Sequence, residues 1–202
     1  MEQAEVFERI YQDYLAEIAR VDLGAVQAKL GFSVEGDEAV IPILGRPHRV
    51  SGRGIAGPDG SRPTHAVAVI LSKYLILCPE FAPTAKEWVA YKDFKDATPF
   101  AAGFRDTAET PLARRFGGDL PGLEQAGQKL GGRRAEEDYS CELAMVFQPL
   151  PQVPILMIFY DRDEEFPARC SLLFERRAAK YLDPECLAMC GMVLSAWLQR
   201  AG

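Results

Sequence analysis

A chain of 202 residues, 48% hydrophobic and 26% charged, has enough apolar material for one buried core and an ordinary polar surface. That balance excludes a disordered or fibrous protein. The net charge of −6 argues against a general nucleic-acid binder, which needs a basic face to collect phosphates.

Val6, Ile10, Tyr14 and Ile18 recur at helical spacing, which predicts an amphipathic helix over residues 3–20. Acidic residues follow Met1 at once and no apolar signal core appears, so no secretory signal is expected. Asp22 opens a second short helix and Gly31 closes it. The period then changes. In "FSVEGDEAVIPILGRPHRV", β-branched and aromatic runs alternate with Glu-Gly-Asp and Leu-Gly-Arg-Pro, predicting a small antiparallel meander. Residues 51–63, rich in Gly and Pro, read as a loop. Residues 64–78 predict a buried helix capped by Thr64; Ser72 and Lys73 interrupt its apolar run, which is too short to span a bilayer.

"EWVAYKDF" predicts a strand and "KDATPFAAGF" an irregular exit from it. Two helices are expected near 107–116 and 120–130, ending at Gly117-Gly118 and Gly131-Gly132. "YSCELAMVFQPL", "VPILMIFY" and "ARCSLLFE" predict three strands. Asp183 as N-cap and Pro184 at the first helical position open a last helix, with an apolar stripe through Leu187, Cys190, Leu194 and Leu198. Helices and strands come in blocks rather than as βαβ repeats. The expected class is therefore α+β: a mainly antiparallel sheet packed against helices, with a long C-terminal helix, in a single domain over residues 1–202.

"GRGIAG" fits G-x-G-x-x-G, but Pro58, Asp59, Gly60 and Pro63 follow, so no helix opens there to receive a pyrophosphate. No phosphate-cradling P-loop, H-E-x-x-H or G-x-S-x-G occurs either. "GRPHRVSGRG" gathers Arg46, His48, Arg49 and Arg53, a combination suited to the carboxylate or phosphate of a small ligand. The same residues would also serve as a solvated hairpin edge that discourages strand pairing. Arg105, Arg114 and Arg115 extend this candidate anion set, although Arg114 and Arg115 also complement a helix dipole. His65 is expected to be structural or capping.

The five cysteines are odd in number and widely spaced, which predicts reduced thiols in a cytoplasmic protein. Cys186 and Cys190 lie one helical turn apart, but a closed zinc or iron–sulfur site needs about four ligands, so no iron–sulfur cluster is expected. Cys78, Cys141 and Cys170 fall on core elements and are expected to pack as small hydrophobes.

"DRDEEFP" sets Asp161, Asp163, Glu164 and Glu165 between two strands. As a calcium loop it fails at Phe166 and Leu172, where glycine and a bidentate Glu belong. Asp161, Asp163 and Glu165 are the candidate metal ligands of an alternative reading, a metal-dependent enzyme. The favoured reading is a hairpin tip, with Arg162 and Arg169 offsetting the charge and Phe166-Pro167 tucking a ring beneath the turn.

"LGRPHRV", "EWVAYKDF", "PLARRFGG", "LPQVPILMIFYDRDEEFPA" and "AAKYLDPECLAMCG" resemble, in order, successive blocks of domain-of-unknown-function family 3786, from about residue 5 to 200. The resemblance implies a single α+β domain and, by association only, a link to metal or corrinoid cofactor metabolism in an anaerobe. Some members carry an N-terminal four-cysteine iron–sulfur segment. Here the first cysteine is Cys78, so that cluster does not transfer, and no catalytic residues do. The expected function is a non-enzymatic binding or accessory protein for an anionic small ligand or a protein partner, without nucleic acid or membrane.

Overall fold

Four short strands form a first sheet of order β1-β2-β3-β4: β1 (Ser33–Glu35), β2 (Glu38–Ile43), β3 (Arg46–Ser51) and β4 (Gly54–Ala56). They are joined by two-residue turns. Leu44 and Gly45 both have positive φ (47° and 76°), the combination that matches the twist of a tight hairpin. The computed structural model in which this is seen describes residues 2–202, with side chains from Glu5 onward. β4 lies inside the segment expected to be a loop. It forms because Ile55, opposite Val50, is buried. Gly52, in the β3–β4 turn, meets the end of the first helix: a Cβ there would lie 2.5 Å from Ala19 Cβ. That glycine of "GRGIAG" thus serves packing.

The second sheet has the order β5-β9-β8-β7-β6, antiparallel throughout. Its strands are β5 (Trp88–Ala90), β6 (Arg133–Arg134), β7 (Leu143–Leu150), β8 (Val153–Tyr160) and β9 (Arg169–Glu175). Alternation buries Met145, Phe147, Ile155, Met157, Phe159, Cys170, Leu172 and Phe174 on one face. The strand expected over "EWVAYKDF" is cut to three residues and passes into a 3₁₀ turn at Tyr91–Asp93.

Helices pack over the two sheets. α1 (Glu2–Ile18) buries Tyr11, Leu15 and Ile18, whereas Val6 is 39% exposed, so its buried stripe is rotated from the expected one. α2 (Leu23–Leu30) starts with Asp22 accepting the Ala25 amide and ends at Gly31 in left-handed conformation. In α3 (His65–Ile76), Thr64 occupies the cap position without a side-chain hydrogen bond. α6 (Leu120–Lys129) and α7 (Pro184–Ala201) both open on an aspartate cap, Asp119 and Asp183. The α7 stripe of Leu187, Cys190, Leu194 and Leu198 is buried.

"KDATPFAAGF" is irregular only over its first three residues. A 3₁₀ turn at Thr98–Phe100 leads into α4 (Ala101–Phe104), a π-helical turn (Arg105–Glu109) and α5 (Thr110–Phe116). Pro111 gives the physical reason. It has no amide for the Thr107 carbonyl, and its ring would crowd that carbonyl in an α-turn; the wider π-turn relieves both. No helix among the described residues is long and apolar enough to cross a membrane.

The two sheets meet at the β7–β8 turn. The Leu44 amide donates to the Pro149 carbonyl at 3.2 Å. The fully buried Tyr74 hydroxyl donates to the Leu30 carbonyl at 2.6 Å and accepts the Gln152 amide at 3.1 Å. Tyr74→Phe keeps the ring but strands both partners, which should cost about 1–3 kcal/mol. Urea unfolding should show a lower midpoint at unchanged slope; an unmoved midpoint would mean the hydroxyl carries no weight.

Candidate functional site

The carboxylates of the β8–β9 connection bond mainly to backbone. Asp161 Oδ1 accepts the Gly118 amide at 2.6 Å and the Arg162 amide at 2.8 Å. Asp163 Oδ1 accepts the amides of Glu165 (2.8 Å) and Phe166 (2.7 Å), which hold its carboxyl below the usual range. The Asp163 amide in turn donates to the Phe166 carbonyl at 3.0 Å, closing the turn. With those bonds made, the turn needs no ring beneath it. Phe166 is 56% exposed, contrary to the expected tuck. Among the described residues no three His, Cys, Asp or Glu side chains gather to hold a metal ion, and the Asp161, Asp163 and Glu165 set is no exception.

The Asp161–Gly118 bond docks the hairpin tip on the end of α5. Gly118 has φ 82°, and a Cβ there would lie 2.5 Å from Arg162 Nη2. Only glycine lets the Arg162 guanidinium lie against the chain at this point. A groove of about 570 Å³ results. Arg105, Glu109 and Arg114 line its helical side; Arg162, Arg169 and Ser171 line the other. No Asp or Glu of the described residues forms an ion pair with Arg114, Arg162 or Arg169. Arg105 touches its exposed neighbour Asp106 at 3.4 Å.

Glu109 is the one carboxylate in this wall, and the strand edge explains its position. β5 pairs with β9 only at residues 173–175. Next along the edge, the Leu172 amide is taken by Glu109 Oε1 at 2.9 Å, carried there by the π-turn. Burial raises the Glu109 pKa, opposed by the Leu172 amide and by Arg105. The Cys170 thiol is buried, and burial first, then the Glu109 charge, pushes its pKa well up. A neutral thiol is a poor nucleophile. Burial likewise raises Cys186 and Cys190.

The basic residues singled out in the sequence separate in space. In β3, side chains alternate, so Arg46 and His48 share one face and Arg49 takes the other. Arg49 pairs with Glu35 (2.6 Å) and Glu38 (3.3 Å), and Arg53 with Asp37 (2.8 Å). Arg115 approaches Asp119 at 3.9 Å and the Phe116 ring. Arg105 and Arg114 enter the groove, while Arg46 and His48 line a separate cavity. His65 packs against Phe7 with the rings tilted by 39° and their centroids 4.3 Å apart. Glu109 escaped the sequence reading, and Arg162 and Arg169 entered it only as charge offsets; the Gly-Gly pair that admits Arg162 read simply as a helix end.

Two measurements check this geometry. Because its pKa is raised, folded Glu109 holds its proton more tightly than the unfolded chain does. Stability should therefore fall as pH rises from the ordinary carboxylate value of about 4.3 through the folded value, then level off. Glu109→Gln removes that loss while still accepting the Leu172 amide. Its urea midpoint should gain on the wild type between pH 4 and 7; parallel profiles would contradict the assignment. Gly118→Ala places a side chain at a left-handed position against Arg162, and should cost about 1–2 kcal/mol in the same assay. An unaffected midpoint would show that Gly118 is not held in the left-handed conformation.

No curated protein and no solved structure matches the chain. Over residues 22–197 it matches the family described as "Domain of unknown function (DUF3786)", and the protein belongs to that family.

Proposed function

We propose that this protein is a binding protein for a small polyanion, held in the groove by Arg114, Arg162 and Arg169 with Arg105 at its end. The observation that carries the reading is that none of the first three has a carboxylate partner among the described residues, in a chain of net charge −6. Elsewhere, arginines such as Arg49, Arg53, Arg62 and Arg134 have ion-pair partners. Like charges on facing walls repel one another, and a ligand with two or more anionic groups removes that repulsion through charge-assisted, bidentate hydrogen bonds. Arg162 already lies against Gly118 at the edge of the groove. The groove offers little for catalysis: Cys170 stays a thiol, and Glu109 is bonded to Leu172.

The test is thermal unfolding at low ionic strength with inorganic pyrophosphate, triphosphate or citrate. A ligand at a hundredfold excess over its dissociation constant adds about 2.7 kcal/mol of stability. For a chain of this size that raises Tm by roughly 5–10 °C. Arg162→Ala with Arg169→Ala should abolish the shift, and added salt should weaken it. Arg49→Ala with Arg53→Ala should leave it intact. Loss of the shift in that second pair alone, or no shift with any of the three anions, would refute the reading.

A further inference from the structure

The cavity at His48 has a chemistry distinct from the groove's. His48 is only 3% exposed, and its ring is fixed by a hydrogen bond of 2.8 Å between Nδ1 and the Arg46 carbonyl oxygen. A carbonyl can only accept, so Nδ1 carries the proton. Burial lowers the His48 pKa and keeps the ring neutral, which leaves a lone pair on Nε2. No described protein atom bonds to Nε2. Yet no buried side-chain nitrogen or oxygen among the described residues lacks a partner. Nε2 therefore reaches open space: a cavity of about 660 Å³ between β3, the loop over 57–63 and the last turns of α7.

The lone pair asks for a donor, and the walls ask for something else. Trp197 and the Arg46 guanidinium, which lies over its ring 4.6 Å from the centroid, together form a flat wall. Arg200 lines the same space and forms no ion pair among the described residues. Asp59 also lines the space, its Oδ1 accepting the amide (3.0 Å) and hydroxyl (2.7 Å) of Ser61, and its charge partly opposes the lowering of the His48 pKa. A bare oxyanion would satisfy the arginines but set its lone pairs against that of Nε2. No three metal-ligating side chains gather among the described residues, so the imidazole has no partners for a protein-held metal ion.

We propose that this cavity binds a small molecule that joins a flat ring bearing an O–H or N–H donor to an anionic group. The donor meets His48 Nε2, the ring lies against the Trp197–Arg46 pair, and the anion meets Arg200. Hydroxyaryl carboxylates and nucleoside monophosphates share this chemistry, and a test with one of each separates them.

Titration of ¹⁵N-labelled full-length protein, followed at the imidazole nitrogens, reads the site directly. The free protein should show His48 as the neutral Nδ1–H form. Either 4-hydroxybenzoate or uridine monophosphate, whichever is the better model, should move the Nε2 resonance. It should bind at least about tenfold more tightly than benzoate, which lacks the donor, or phenol, which lacks the charge; tenfold is about the worth of one hydrogen bond. Trp197→Leu and Arg200→Ala should each weaken binding about tenfold, and Arg162→Ala, in the other groove, should not. An Nε2–H tautomer, equal binding of benzoate, or no binding of either donor-bearing probe at millimolar concentration would overturn the proposal, whatever becomes of the groove.

Discussion

The buried hydroxyl of Tyr74 is the bond on which this fold turns. It joins the C-terminus of α2, the last turn of α3 and the β7–β8 turn through two hydrogen bonds. The same turn receives the Leu44 amide from the first sheet. A phenol placed there has no water to fall back on, so both bonds must form together as the core closes. Leu44 adds a second constraint. Its positive φ is unfavourable for a branched residue, and burial of its side chain together with the bond to Pro149 holds it in place. The strands β7 and β8 run from this junction, and the hairpin tip lies at the far end of β8, where the groove is built.

Both sites are consequences of how strands end. β5 stops short along β9, leaving the Leu172 amide for Glu109; the π-turn forced by Pro111 carries that carboxylate to it. The hairpin beyond β8 uses Asp161 and Asp163 on backbone amides, and Arg162 and Arg169 face the groove. In β3, alternation sends Arg49 to surface carboxylates and turns Arg46 and His48 toward α7. The groove is a cluster of cations open to solvent, suited to charge. The His48 cavity pairs cations with an acceptor and an aromatic wall, suited to a particular arrangement of groups.

Local chemistry was legible from the residues. Asp183-Pro184, Asp22 and Gly31 announced helix ends because each acts on amides within a few positions of itself. The β-branched runs gave the long strands for a similar reason, and the resemblance to the family pointed to the match over residues 22–197. What could not be read depends on distance along the chain. Gly118 and Asp161 are 43 positions apart, and Glu109 and Leu172 are 63 apart. The grouping of Arg46, His48, Arg49 and Arg53 failed differently: four residues close in sequence on a strand and its turn face in different directions. Phe166 shows the same limit, since hydrogen bonding by Asp163 made its burial unnecessary.

Anion binding in the groove depends most on the arginines that face it without carboxylate partners among the described residues. Their guanidinium Nε–H resonances can be followed individually by ¹H–¹⁵N NMR as pyrophosphate is added at low salt. Arg114, Arg162 and Arg169 should shift together and saturate along one curve, while Arg49, Arg53 and Arg134, held by Glu35, Asp37 and Glu124, stay still. Shifts spread evenly over all arginines without saturation would mean diffuse charge screening and would contradict a built site.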